Sequence, residues 1–530
     1  MFTKFPLLSF CSILLAAQVQ AAVSLPVGGT EALSSEADSP AKEALTAFRE
    51  GRHAKAIELA KPLAEKGNAD ALYLMGYAYE TGQGLEASRD LALENYRKAA
   101  ATGHKDSIYR LSFILLASED EAERSQAREA LEKASKDDPA VAGRILGEAY
   151  LRGRLTKEAD FDKTVTWWTS AATAGDIPSL LLLARLHEGQ FGFPDKKDGK
   201  KALGFYAKAA GLGDAPSMVA LGSRLLNGEK ENRNEKEGRD WLKKAVEAKE
   251  YSAYLALGDF EENVKKDPKA ALGFYERGKD AGQVDCILRA ADAYTEGKGT
   301  DKDPARGASL LESAAKAGSP MAHYRLAVKN LAAEKPDLLQ GYGHLLTAAT
   351  GGLLEAQNEL GLLYLSGKLA TADAPAGVAW LTRAAQGGMA LAQNNLGALF
   401  ERGAGVPQNI TNAGQLYALA ANQGHAGATL ALARLYSKGT GVVADLPKAW
   451  ALATLAAERG EETAKKFASD LAEKFDDKQR AKGQKDLEAI KTGKPTDPKP
   501  DDAKPTTPPK PADGKPVTPP APPKPPKTPK

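Results

Sequence analysis

Apolar and polar positions along most of the chain recur with the spacing of an α-helix, and the whole pattern repeats about every 36 residues. One column of this repeat is leucine in most rows, as at Leu146, Leu183 and Leu396. The residue after it is always small, and a second small residue stands four positions before it. The three columns agree in eleven rows, so the sequence predicts one repeated helical unit rather than several unrelated domains.

Each row of the repeat predicts two amphipathic helices. The first carries small and leucine residues at helical spacing, as in Ala392, Leu396 and Gly397, and a glycine-rich turn such as Gly403-Ala404-Gly405 ends it. The second helix centres on an aromatic residue followed by an alanine pair, and in row three the expected aromatic is Trp167. Because one such pair cannot bury its apolar face alone, the pairs are expected to stack into an all-α fold, an α/α solenoid.

These residues carry a resemblance to a known family. The row Ala428-x-x-x-Leu432-Ala433-x-x-Tyr436-x-x-Gly439-x-Gly441-Val442 resembles the Sel1-like repeat, a relative of the tetratricopeptide repeat with a longer turn. The resemblance covers roughly residues 69–461 and implies about eleven helix-turn-helix repeats. Rows two, six and eight have shortened or altered turns. Other residues replace the aromatic that ends the first helix at four positions: Leu115, His187, Glu261 and Asn330.

The N-terminus has the layout of a secretory signal peptide. Residues 1–21 begin with a positive charge at Lys4, continue with an apolar stretch from Phe5 to Ala17 and end in the small residue Ala21. The apolar stretch is shorter than the roughly 20 residues that a membrane-spanning helix needs. We therefore expect cleavage after Ala21, export to the periplasm or the exterior, and no transmembrane segment after cleavage. Residues 22–40, rich in Gly, Ser, Glu and Pro, predict a flexible leader.

Three further segments flank the repeats. Residues 41–68 predict a divergent opening helix pair, and residues 462–493, which are strongly charged with few apolar positions, predict a C-terminal capping helix. Residues 494–530 are almost entirely Pro, Lys, Thr, Asp and Ala, with eight Lys and four Asp and hence a local charge of +4. This composition cannot bury a core and predicts a disordered, extended tail. The tail is either a solvated spacer or a cationic arm for an anionic polymer or membrane surface.

Composition and charge exclude several classes of protein. The chain has 71 Lys+Arg against 69 Asp+Glu, which is too balanced for a protein that binds nucleic acid along its whole length. Its hydrophobic content of 43% is that of a soluble globular protein, not of a multispanning membrane protein. Of its two cysteines, Cys11 lies inside the predicted signal peptide, so the remaining Cys286 cannot form an intramolecular disulfide.

Strings that imitate active sites lack the context that catalysis needs. Ser313-Ala-Ala-Lys316 and Lys491-Thr-Gly493 have the spacings found in penicillin-binding proteins, but no Ser-Asp-Asn element accompanies them. The six histidines show no spacing typical of a metal site, and Cys286 stands in a column otherwise filled by Ala and Ser, which predicts a packing role. The disulfide-rich members of the family are described as β-lactam-binding enzymes, and this chain lacks their cysteines. We therefore predict no catalytic residue, no cofactor and no metal site.

The resemblance instead implies a solenoid whose first helices line a surface that holds a partner protein or peptide. The candidate residues stand three positions before the small residue that follows the leucine, where tyrosines offer flat contact area and asparagines can hydrogen-bond a peptide backbone. They are Tyr73, Tyr324, Asn358 and Asn394, with Asn395 adjacent. The alternative is that these are ordinary solvated positions of the helices.

The sequence thus predicts a non-catalytic scaffold or adaptor of the cell envelope. The competing hypothesis is a binder of envelope polymer, either peptidoglycan or an acidic glycan, attached through its cationic tail. Salt separates the two, because exposed charges are screened within about 8 Å at physiological ionic strength.

Overall fold

The structure, a computed structural model, describes residues 39–334, 336–367 and 373–492. Within these residues the protein is an all-α solenoid of 26 helices without a strand. The chain forms two compact units, and the boundary falls between Phe274 and Tyr275. We call the described residues 39–274 the N-terminal unit and the described residues from 275 to 492 the C-terminal unit, and take each by itself.

The N-terminal unit begins with α1 and α2, and from α3 onwards odd-numbered helices are the first of each pair and even-numbered helices the second. The helices are α1 (Lys42–Arg49), α2 (His53–Glu65), α3 (Ala69–Thr81), α4 (Arg89–Ala101), α5 (Lys105–Leu116), α6 (Glu121–Ala134), α7 (Pro139–Leu151), α8 (Phe161–Thr173), α9 (Ile177–His187), α10 (Gly199–Gly211), α11 (Ala215–Asn227), α12 (Glu235–Glu247) and α13 (Ala253–Phe260). Helix α14 (Pro268–Asp280) contains the boundary between the units.

The C-terminal unit continues the same alternation of first and second helices and ends with three consecutive helices that pack together. Its helices are α15 (Val284–Glu296), α16 (Pro304–Lys316), α17 (Pro320–Leu331), α18 (Leu338–Thr350), α19 (Leu354–Ser366), α20 (Ala374–Gln386), α21 (Ala390–Arg402), α22 (Ile410–Asn422), α23 (Ala426–Lys438), α24 (Leu446–Glu458), α25 (Glu462–Ala472) and α26 (Asp477–Thr492).

The small column of the repeat is where the two helices of a pair touch. A methyl group added at Gly147 of α7 would lie 2.3 Å from the Trp168 ring of α8, and one added at Gly76 of α3 would lie 2.8 Å from the Tyr96 ring of α4. Trp168 is fully buried, whereas its neighbour Trp167 is only half-buried. The expectation that Trp167 centres the second helix of row three is therefore wrong, because the ring that fills the space over Gly147 is that of Trp168.

Glycine and polar caps set the ends of the helices. Gly403 ends α21 with φ 69° and Gly405 follows with φ 76°, a left-handed conformation that glycine adopts without steric cost. Aspartate begins several helices by accepting a hydrogen bond from a backbone N–H three residues on, as Asp160 does for α8 and Asp176 for α9. His104 and His425 cap α5 and α23 in the same way.

The rows with altered turns still form helices. In row two α5 and α6 pack together across a short connection between Leu116 and Glu121, and in row eight α17 packs against α18. In row six α13 ends at Phe260 after eight residues, and the chain makes one wider, π-helical turn over Glu261–Lys265. The departures therefore alter the turns and helix lengths locally while the helices of these rows remain.

The ends of the described chain differ from expectation in one respect. Residues 462–492 form two helices rather than one capping helix, because Asp476 and Gln479 begin a new one. Asp476 accepts a hydrogen bond from the Gln479 N–H at 2.7 Å, and the Gln479 side chain accepts one from the Asp476 N–H at 3.1 Å. The predicted signal peptide, nearly all of the leader and the tail lie outside the described residues. No helix within the described residues is long and apolar enough to cross a membrane.

Candidate functional site

In the N-terminal unit, side-chain contacts join the first helices of neighbouring rows. His104, which caps α5, lies 3.2 Å from Asp70 of α3 (Nε2 to Oδ1). Arg110 of α5 donates from Nε to Oε2 of Glu80 on α3 at 2.8 Å. The helices α3 and α5 therefore lie side by side. They share what we call the N-terminal face, made of Asp70, Tyr77, Asp106, Arg110 and Phe113.

Tyr73, the candidate in this unit, lies beneath that face rather than on it. Its side chain is 2% exposed, its ring lies 5.4 Å from the His104 ring, and its hydroxyl has no hydrogen-bond partner within the described residues. Burial holds the pKa of its hydroxyl above the ordinary value. In this structure Tyr73 cannot offer the flat contact surface expected from the sequence, because the next repeat covers it. A role in partner binding stays a prediction.

In rows two and three, the residue three positions before the small column also contacts the next repeat. Tyr109 donates from its hydroxyl to Oδ2 of Asp138, the residue that caps α7, at 2.6 Å. Arg144 of α7 forms an ion pair with Asp176, the residue that caps α9, over 3.6 Å. Residues three before the small column therefore hold successive first helices together in this part of the chain.

Phe113 is the most exposed aromatic side chain of the N-terminal face. Its ring is 47% exposed, and the Arg110 guanidinium lies 6.0 Å from its centroid and 5.8 Å from that of Tyr77. Glu80 fixes Arg110 through two hydrogen bonds and also accepts one from the Tyr96 hydroxyl at 2.8 Å. The result is a preorganised surface of two aromatic rings and a charge-balanced arginine, the residue types that carry most binding energy in interfaces.

Two carboxylates on the first helices α5 and α7 are desolvated. Asp106 is half-buried, and burial raises its pKa above the ordinary value; the charge of His104 opposes this shift, and the charge of Asp70 adds to it. Glu148 of α7 is also desolvated, which raises its pKa, although Arg152 pairs with it at 2.5 Å. The N-terminal face is thus both aromatic and acidic.

In the C-terminal unit the structure brings two candidate asparagines together. Asn395 of α21 donates from Nδ2 to Oδ1 of Asn358 on α19 at 3.0 Å. Asn358 is fully buried, and its own Nδ2 has no partner within the described residues. Asn394 and Tyr324 are half-buried. Asn358 therefore joins two repeats and is not an open contact residue, whereas Asn394, Asn395 and Tyr324 retain accessible surface.

Three exposed apolar side chains lie on the first helices α17, α19 and α21. Val328 of α17 is 48% exposed, and Leu362 of α19 and Leu391 of α21 are also exposed. Val328 and Leu362 stand at the same position of the repeat as Phe113, directly after the small column. The C-terminal face, as we use the term, consists of Tyr324, Val328, Leu362, Leu391, Asn394 and Asn395.

The exposed residues of this position are the ones that sequence reasoning missed. The available signal was a large apolar residue directly after the small column, at Phe113, Val328 and Leu362. The apparent active-site string gives no catalytic arrangement: Ser313 and Lys316 are both exposed on α16, and no hydrogen bond joins them among the described residues. Cys286 is a fully buried cysteine of α15, and no group of three potential metal ligands occurs among the residues described.

A known family of repeats matches most of the rows of this chain. The Sel1 repeat profile matches nine segments that together span more than half of the chain: 69–104, 144–176, 177–214, 215–249, 252–283, 284–319, 354–389, 390–425 and 426–461. The unmatched stretches between them contain rows two and eight, where the structure nevertheless has the pairs α5–α6 and α17–α18.

Two curated yeast proteins are similar to parts of the chain. Chitin synthase regulatory factor 4 of Schizosaccharomyces pombe is 32% identical over 181 residues, which are 31% of this chain and 28% of that protein. Chitin synthase regulator SKT5 of Saccharomyces cerevisiae is 25% identical over 309 residues, which are 54% of this chain and 43% of that protein. The chain thus spans less than half the length of these relatives.

Two solved structures are also similar. A protective antigen of uropathogenic Escherichia coli with an SLR fold matches with a TM-score of 0.43 at 24% identity, covering 84% of this chain and 99% of that one. A Sel1 repeat protein from Oxalobacter formigenes matches with a TM-score of 0.42 at 27% identity, covering 61% of this chain and 93% of that one.

Proposed function

The chain belongs to the Sel1 repeat family, and we propose that it is a non-catalytic scaffold of the cell envelope that binds a partner protein or peptide on the faces of its first helices. Sel1 repeat proteins are generally protein-interaction scaffolds. The two similar yeast proteins are named as regulators of chitin synthase. Those names support a role in controlling or assembling another protein.

The observation that carries the proposal is the exposure of Phe113 on a rigid support. Phe113 is 47% exposed. A partner that covers its ring would gain roughly 1 kcal/mol or more of binding free energy from the burial of this apolar surface. Glu80 already orders the adjacent Arg110, so little side-chain entropy remains to be lost on binding. Contact of this surface with a partner is therefore more favourable than its contact with water.

The location in the envelope rests on the sequence of residues 1–21. Their charged start, short apolar stretch and small final residue favour export and cleavage after Ala21. Comparing the mass of the protein isolated from the envelope fraction with that of the full chain would test this part directly. A mass that still includes residues 1–21, or recovery from the cytosol alone, would contradict it.

Affinity capture from envelope extract, followed by mass spectrometry, tests the binding role. The baits are the full chain, Phe113→Ser on the N-terminal face, Leu362→Ser on the C-terminal face, and a chain that ends at Thr492. Leu212→Ser is the matched control, because Leu212 is 56% exposed at the end of the second helix α10. Thermal melts of all baits show whether each variant is folded.

The expected result is one protein partner that is captured with or without the tail. It should be lost with Phe113→Ser if it binds the N-terminal face, or with Leu362→Ser if it binds the C-terminal face, and retained with Leu212→Ser. Capture that instead needs residues 494–530, ignores both face variants and disappears at high salt would contradict the scaffold role. That outcome would favour the binding of an anionic polymer through the tail, since exposed charges are screened by salt.

A further inference from the structure

The carboxylate of Asp106 differs from the other carboxylates near the N-terminal face. Asp70 contacts His104, Glu80 holds Arg110, and Asp138, in the turn before α7, accepts from Tyr109. Asp106 has neither a hydrogen bond nor an ion pair from its side chain among the residues that the structure describes. It is nevertheless half-buried, so its charge has lost part of its hydration without gaining a partner.

The charges near Asp106 offset it only in part: burial raises the pKa of Asp106, the charge of His104 lowers it, and the charge of Asp70 raises it. His104, two residues earlier, is already engaged with Asp70, which is itself a carboxylate and adds to the negative potential. Arg110, about one helical turn along α5 from Asp106, is neutralised by Glu80, and Lys105, the residue directly before Asp106, is exposed. A cation from a partner would therefore meet a favourable potential at Asp106 and no net repulsion from Arg110.

Phe113 lies on the same stripe of α5 as Asp106. The two residues are seven positions apart, which is nearly two helical turns, so their side chains leave the helix on the same side about 10 Å apart. The Arg110 guanidinium lies 6.0 Å from the Phe113 centroid and 5.8 Å from that of Tyr77, so two aromatic rings surround the arginine at this end of the stripe. The stripe thus presents an acidic point at one end and an apolar point at the other.

From this spacing we infer that the N-terminal face binds an extended protein segment with a lysine or arginine about three residues from a large apolar residue. An extended chain rises about 3.3 Å per residue, so three residues span the distance between Asp106 and Phe113. The basic side chain pairs with Asp106, and the apolar one packs on Phe113 and Tyr77. An acidic segment is rejected, because Asp70 and Asp106 repel it. The inference rests on the proposed function and specifies its partner.

Selection from a random peptide display library on the immobilised full chain tests the motif. Enriched peptides are expected to carry a basic residue and a large apolar residue three positions apart. On Asp106→Asn the preference for the basic residue should vanish, and on Phe113→Ser the preference for the apolar one. The control Leu212→Ser should return the same motif as the unmodified chain. A synthetic copy of the most enriched peptide should bind Asp106→Asn about tenfold more weakly than the unmodified chain.

The inference is overturned if no peptide is enriched, if the motif is absent, or if it persists unchanged on Asp106→Asn. These results leave the scaffold role intact when envelope capture still yields a partner that depends on Leu362. Conversely, a clear motif combined with a failed envelope capture would overturn the proposed function in the cell and leave the chemistry of the face standing. Thermal melts of Asp106→Asn and Phe113→Ser exclude unfolding as the cause of any loss, since neither side chain is fully buried.

Discussion

The hydroxyl of Tyr109 donates to Oδ2 of Asp138 over 2.6 Å and so connects the first helix of one repeat to the residue that begins the first helix of the next. Asp138 also accepts from the Val141 N–H at 3.2 Å, so one carboxylate both caps α7 and binds the preceding repeat. Neighbouring rows use the same location with different chemistry, a ring contact at Tyr73 and an ion pair at Arg144.

Tyr109→Phe should weaken this connection. The substitution removes a buried hydrogen bond to a charged acceptor, so the free energy of unfolding should fall by about 2 kcal/mol. Urea denaturation followed by circular dichroism measures it. Tyr77→Phe is the control, because the Tyr77 hydroxyl makes no hydrogen bond within the described residues, and its effect should stay within about 0.5 kcal/mol. Equal effects of the two substitutions would refute the structural role of Tyr109.

Gly147→Ala should be strongly destabilising. The added methyl group would lie 2.3 Å from the buried Trp168 ring, so one of the two helices must move at a cost of roughly 3 kcal/mol. Gly204→Ala is the matched control, because Gly204 is exposed within α10 with nothing within 4 Å of the added atom. That change should stabilise by about 0.5–1 kcal/mol. A tolerated Gly147→Ala would contradict the close approach of α7 and α8.

His323→Gln should make the C-terminal unit more resistant to acid. Burial lowers the pKa of His323, and the charge of His344, whose Nδ1 lies 2.9 Å from that of His323, adds to the effect. Because the folded-state pKa lies below the ordinary value of about 6.5, the unfolded chain binds the proton first. The contribution of the neutral His323 ring to the free energy of unfolding is therefore fully present above pH 6.5. It is lost as the pH falls towards the lower pKa of the folded state.

Glutamine is the natural replacement at this position. His323 is hydrogen-bonded to the backbone of Ala315, just as Gln357 donates to the carbonyl of Ala349 at 3.0 Å and Gln393 to that of Ala385 at 3.1 Å. Melting temperatures of His323→Gln and the unmodified chain should agree within a few degrees at pH 8, and the variant should melt higher at pH 5. A difference that does not depend on pH would show that titration of His323 plays no part.

Asp486→Asn should stabilise α26 at neutral pH. Asp486 is nearly buried, its Oδ2 has no partner within the described residues, and burial followed by the charge of Asp445 raises its pKa. A raised folded-state pKa means that stability declines as the pH rises through it, so the neutral amide removes a penalty that exists only above that pH. Hydrogen exchange of the α26 amides should slow in the variant at pH 7 and match the unmodified chain near pH 3. Faster exchange at pH 7 would contradict this account.

The column pattern predicts a large part of the fold because contacts inside one row determine which residue type each column needs. The small residue at Gly147 and the glycine turn at Gly403-Ala404-Gly405 follow from contacts or backbone conformations within a single helix pair. Contacts between rows produce no such periodic pattern in the sequence. The burial of Tyr73 beneath the next repeat and the pairing of Asn358 with Asn395 depend on how successive first helices lie side by side. Individual rows satisfy that requirement with tyrosine, arginine or asparagine.

The candidate site was predictable only in outline. The expected partner-binding surface on the first helices stays a prediction, and two of its candidate residues, Tyr73 and Asn358, lie at a position that the neighbouring repeat covers. The exposed position lies four residues further along, at Phe113 and Leu362, one helical turn away on the same side. A single sequence does not reveal this shift, because either position can be apolar or polar without disturbing the pair in which it lies.

The most direct test of the central claim is the dissociation constant of the captured partner, measured by calorimetry with the full chain and with Phe113→Ala. If the N-terminal face is the binding surface, removing the Phe113 ring should raise the dissociation constant by about thirtyfold. This is the effect of losing a residue at the centre of an interface. Leu212→Ala, on a second helix, should leave the constant within about twofold. Equal constants for Phe113→Ala and the unmodified chain, with both proteins folded, would show that the partner binds elsewhere.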